Sequence, residues 1–188
     1  MNQRSIISSN TIDCYQTGTF MKSFKFKSLG YAALLSVAIS TSVQAQERTK
    51  DGMWMTEYNN MVTQGLYALN SKNYDKAHNK LTTAAEWGNK KAQFYLAQMY
   101  LSGWEDTKPD YKQGWLWLNV ALEQRTQEWR DAERDITRAL PEEFIQAMQP
   151  LVDEHIAQYG ADAKDLSCLK RTRVGSNIRE IMCEKRSY

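Results

Sequence analysis

Tyr74-Asp75-Lys76-Ala77 … Ala84-Ala85-Glu86-Trp87-Gly88 and Asp110-Tyr111-Lys112-Gln113-Gly114 … Trp117-Leu118 … Ala121 are two copies of one pattern. Ala77 falls on Gly114 and Ala84 on Ala121, both 37 residues apart, which is about the length of one helix-turn-helix unit with its loops. Units of this kind cannot bury their apolar faces alone, so they stack on their neighbours. The expected fold is therefore all-α: a short solenoid of helix pairs, whose business is binding through its surface.

Working outward, apolar and small residues at helical spacing predict helix A of the first unit over about 54–70 and helix B over about 73–87. In the second unit Ala92, Leu96, Met99, Tyr100 and Gly103 form one stripe, and Gly103 stops the helix. The polar stretch 104–109 then leads to Asp110, which is placed to cap the next helix by accepting from a free backbone N–H. On that helix Tyr111, Trp115, Leu118 and Leu122 face one way, while Gly114, Trp117 and Ala121 make an adjacent stripe. Two buried faces are what an internal solenoid helix needs. Residues 126–140 predict a further helix with Trp129, Ala132, Ile136 and Ala139 on one face, and Pro141-Glu142-Glu143 starts another. Pro150 is expected to kink or break that last helix.

Gly65, Ala68, Ala77, Leu81 and Ala84 resemble a tetratricopeptide unit. The run from Ala92 to Gly103, with Asp110-Tyr111, Trp117 and Ala121, resembles the Sel1-like repeat family, which has a longer inter-helix loop. The resemblance covers roughly residues 65–125, and it departs from the family pattern at Lys80, Ala97 and Gly114. Leu140-Pro141-Glu142-Glu143 looks like the helices that close such arrays in exported proteins. The resemblance implies a protein–protein interaction scaffold. In the tetratricopeptide register, Asn59, Val62, Lys91, Phe94 and Gln98 line the concave face and are the expected partner-binding residues.

Lys22, Lys25 and Lys27 precede the apolar run from Tyr31 to Ile39, and Val43-Gln44-Ala45 supplies small residues where a signal peptidase requires them. Residues 1–45 read as a leader with cleavage between Ala45 and Gln46, and Met21 opens a leader of ordinary length, so it is a candidate start. The expected compartment is the bacterial periplasm or the exterior. Without the leader the chain holds 20 basic and 21 acidic residues, a balance that argues against nucleic acid as a partner. Residues 46–160 are expected to form the repeat domain and residues 161–188 a basic tail.

The two remaining cysteines, Cys168 and Cys183, lie symmetrically about Gly175-Ser176, and an exported context favours joining them. A two-residue type II′ turn at Gly175-Ser176 would set them opposite each other in a hairpin. The Cys-flanked Gly-Ser-x-Ile tail is also similar to one in small exported bacterial proteins, with no function attached. A redox role has little support, since no Cys-x-x-Cys spacing exists.

No residue is assigned a catalytic, metal or cofactor role. His78 and His155 are far apart and read as solvated helix-surface residues, and no nucleophile elbow or phosphate loop is present. Six tryptophans raise a second reading, a cell-wall or small-ligand accessory, but Trp115, Trp117 and Trp129 fall at core spacing. The tail run Lys170-Arg171-Thr172-Arg173 has two readings as well: contact with an anionic surface, or simple protection of an edge strand, which is preferred. The sequence therefore points to an adaptor for another envelope protein.

Overall fold

In the computed structural model, residues 47–188 are described, and the expected cleavage site at Ala45 and Gln46 lies outside them. Six helices are followed by two strands: α1 (Met55–Asn70), α2 (Tyr74–Glu86), α3 (Lys90–Ser102), α4 (Tyr111–Ala121), α5 (Gln127–Ala139), α6 (Glu142–Tyr159), β1 (Leu166–Thr172) and β2 (Arg179–Lys185). Helix α1 packs on α2, α2 on α3, α3 on α4, and α4 on α6. This is the short all-α solenoid expected, closed by a small hairpin of strands. No helix among the described residues is long and apolar enough to cross a membrane.

The junctions explain why the helices start and stop where they do. After α1 the N–H of Lys72 bonds the carbonyl of Leu69 and that of Asn73 bonds Ala68; after α2, Gly88 bonds Ala85 and Asn89 bonds Ala84. Both are Schellman endings, which need a positive φ at the residue beyond the cap. Gly88 (φ 88°) supplies it freely, whereas Lys72 (φ 58°) adopts it against its Cβ. The next residue then begins the following helix: Asn73 Oδ1 accepts from Lys76 N, and Asn89 Oδ1 accepts from Ala92 N. One asparagine thus ends one helix and caps the next. Asp110 and Thr126 cap α4 and α5 in the same manner.

The core runs along the small-residue stripes. Ala77, Ala84, Ala85, Ala92, Ala97 and Ala121 are fully buried beside Leu81, Leu96 and Leu118. Trp115, Trp117 and Trp129 are buried with them, so they are not available to stack on a sugar. Helix α6 continues through Pro150 without a break. Pro150 and Gln146, whose carbonyl loses its helical donor, are both exposed, so water is there to meet that carbonyl and the expected break does not occur.

The hairpin forms in the expected register, with Cys168 opposite Cys183 and a disulfide between them. Its turn differs from expectation. The last ladder bond runs from Arg173 N to Ile178 O, and Ser176 N bonds back to Arg173 O. Gly175 (φ 77°) is therefore the third residue of a four-residue turn, where a type II turn requires a positive φ. Val174 and Asn177 consequently do not pair as a two-residue turn would need.

The 161–188 segment is stitched to the helices. Arg125 and Ile181 exchange two backbone bonds, Tyr188 N bonds Arg48 O, and Cys183 N bonds Gln124 Oε1. The hairpin is held against the α4–α5 corner and the N-terminal strand-like segment.

A groove along helix α3 flanked by the hairpin

Helix α3 presents its outer face as Lys91, Tyr95 and Gln98, at positions i, i+4 and i+7. Three clefts open along it. The first, about 460 Å³, lies between Asn59 and Tyr58 of α1, Lys91, Gln124, and Met182 and Lys185 of β2. A second, about 400 Å³, shares Lys91, Gln124 and Met182 and adds Tyr95, Trp129 and Arg173. The third, about 280 Å³, shares Tyr95 and adds Gln98, Leu69 and Trp104. Shared walls make them one groove with three stations.

Of the expected partner-binding residues, Asn59, Lys91 and Gln98 line these clefts, and Val62 is half-buried against the core. Phe94 does not belong with them. It is 1% exposed, and its ring stacks on Trp129 of α5 at 4.5 Å. One residue of rotation on a helix is about 100°, enough to move a side chain from groove to core. Its neighbour Tyr95 takes the surface position. The register transferred from a two-helix unit lacked α5, which covers Phe94 from the side that would otherwise be open.

The groove's far wall is β2. In an antiparallel ladder alternate residues turn their backbone groups away from the partner strand. Ile181 spends its outward N–H and carbonyl on Arg125, and Cys183 spends its N–H on Gln124. By the same alternation Lys185 turns outward too, and its N–H has no backbone partner among the described residues. A sheet edge therefore forms part of the cleft wall at Cys183 and Lys185.

The floor is polar and closed. Lys90 is buried at the start of α3, where its ammonium donates to Gln93 Oε1 (3.0 Å), Val120 O (2.9 Å) and Glu123 Oε2 (2.6 Å). All three donors are used. Gln93 Nε2 bonds the carbonyls of Ala85 and Tyr159, and Glu123 also accepts from Ala161 N. This network ties the ends of α2, α4 and α6 to the start of α3. Burial pushes the Lys90 pKa down and Glu123 pulls it back up. Lys185 is also buried and lowered by burial, with Asp51 and Asp165 opposing; its ammonium lies 6.0 Å from the ring centroids of Tyr58 and Trp87. Burial likewise raises the Tyr58 phenol, offset in part by a bond to Asn89.

Both histidines depart from the solvated-surface expectation. His78 is half-buried, bonds the Tyr100 hydroxyl at 2.8 Å and stacks on Trp104. His155 stands edge-on to Trp117, and its Nε2 is buried without a hydrogen-bond partner. Their helical spacing carried no sign of this, because the aromatic partners come from other elements. Among the described residues no cluster of three or more His, Cys, Asp or Glu is placed to hold a metal ion. What the groove offers chemically is hydrogen bonding, the exposed Lys91, the phenol rings of Tyr58, Tyr74 and Tyr95, and the methionines Met55, Met99 and Met182.

No family model matches the chain, and no curated protein does. Among solved structures it is similar to c5321, a protective antigen present in uropathogenic Escherichia coli strains displaying an SLR fold. That likeness is 23% identity and a TM-score of 0.48 over 63% of this chain and 27% of the antigen. The chain thus spans about a quarter of that structure's length.

Proposed function

We propose that this chain is a non-catalytic adaptor of the bacterial cell envelope that holds a segment of another envelope protein in the groove along α3. The observation that carries the reading is the continuity of the three clefts past Lys91, Tyr95 and Gln98, opposite a sheet edge at Cys183 and Lys185. An extended segment lying there would bond the Cys183 carbonyl and the Lys185 N–H, the edge groups left without a partner among the described residues, and fill the clefts with alternate side chains, a recurring mode of peptide recognition. The leader pattern and the disulfide support an exported setting.

The test is crosslinking of the protein in a periplasmic extract, with captured chains identified by mass spectrometry. A single partner captured by the natural chain, lost in Lys91→Glu/Tyr95→Ala and kept in Arg134→Glu on exposed α5, is the expected result. Equal capture by all three sinks the groove. Failure to capture any protein, together with binding to isolated peptidoglycan at high salt, would transfer the role to the cell-wall reading.

A further inference from the structure

A second cleft lies on the other side of the hairpin, away from α3. It measures about 210 Å³ and is lined by Arg125, Arg130, Lys170, Arg179, Glu180 and Ile181. Four cations from three separate stretches of chain converge there: the α4–α5 corner, β1 and β2. None of the four has a carboxylate oxygen within ion-pairing distance among the described residues. The one acid present, Glu180, turns Oε1 to the N–H of Gln127 at the start of α5, at 3.0 Å. Arg130 is braced by Gln127 Oε1 (2.7 Å) and the Arg125 carbonyl (3.4 Å).

Four cations against the single carboxylate of Glu180 leave the cleft net positive, and like charges brought together cost stability, so the arrangement favours an anion. The ladder register shows that the convergence is built. Lys170 pairs with Ile181 and Thr172 with Arg179, which places Lys170 and Arg179 on one face of the hairpin, and Arg125 is held to Ile181 by two backbone bonds.

The same hairpin exposes an apolar side chain at its tip: Val174, between Arg173 and Gly175 of the turn, is 100% exposed. A free anion in solution has no use for it, whereas a lipid surface takes an apolar side chain into its interface while anionic headgroups bind the cations. We infer that the hairpin is a peripheral docking element for anionic phospholipid, with a headgroup phosphate held by Arg125, Arg130, Lys170 and Arg179 and Val174 entering the interface. This site is distinct from the α3 groove and would place the adaptor against a membrane leaflet.

The test is flotation of the disulfide-bonded protein with phosphatidylcholine vesicles, with and without phosphatidylglycerol. Binding to the anionic vesicles alone, weakening as salt rises, is expected. Lys170→Gln/Arg179→Gln should lower partition about thirtyfold, at about fivefold for each cation removed from such a surface. Val174→Asp should lower it too, while Lys91→Gln, in the other groove, should not. Both cations are exposed, and circular dichroism of the double variant monitors its folding. Equal partition onto neutral vesicles overturns the inference. So does undiminished binding by a folded Lys170→Gln/Arg179→Gln, and so does tighter binding to polyglutamate than to the anionic vesicles. Binding of inorganic phosphate without vesicle association would assign the cleft to a free anion and overturn the lipid source.

Discussion

Lys90 occupies an environment far from its ordinary chemistry: its side chain is 1% exposed, yet every donor is matched. Removing one partner of a buried charge pair is costly because it leaves the other uncompensated. Lys90→Met is expected to cost about 3 kcal/mol in urea unfolding, toward the lower end of that class because Glu123 is partly exposed and keeps Ala161 N. His155 and His78 give the fold a pH response. Burial is the largest cause holding both below the ordinary histidine pKa, with Glu154 and Asp75 opposing. Between the lowered folded pKa and 6.5 the unfolded chain binds more protons, so stability is full above 6.5 and falls as pH falls through that window. Thermal melts at falling pH should show the loss, and His155→Phe should flatten it.

At the scale of elements, the two Schellman endings differ in one residue. Lys72 holds a left-handed conformation that Gly88 adopts at no cost, so Lys72→Gly is expected to raise stability by about 1 kcal/mol, read from the shift in the denaturation midpoint. Gly114 shows the opposite constraint. A Cβ there would lie 2.5 Å from Leu101 Cγ and 3.2 Å from its backbone nitrogen. Gly114→Ala is therefore expected to destabilise by roughly 1–3 kcal/mol, despite the better helix propensity of alanine. At this scale much was legible in the chain. The repeat, the helix spans to within a residue or so and the Asp110 cap follow from local chemistry. Pro150 shows where local reading stops, because the cost of a proline depends on whether the carbonyl it orphans meets water.

At the scale of the molecule, the hairpin acts as a wall of the groove. Closing its loop with the Cys168–Cys183 disulfide contributes about 3 kcal/mol by chain entropy. Reduction should speed amide exchange over 166–185 and loosen the groove wall while leaving helical circular dichroism intact, because the α2–α3–α4 packing does not pass through the hairpin. Loss of helicity on reduction would instead make the hairpin a structural requirement of the solenoid.

The amino-acid sequence by itself determined the helical repeat, the order of helices and hairpin, and the opposition of Cys168 and Cys183. These rest on spacing, capping and turn chemistry between residues near one another in the chain. Tertiary structure alone decided that Phe94 is core and Tyr95 surface, since α5 covers one and leaves the other. It also decided that Lys90 is buried and that Met182 and Lys185 face Lys91. Those outcomes join residues 30 to 94 positions apart, and no local pattern carries them, because burial is a property of what packs against a side chain.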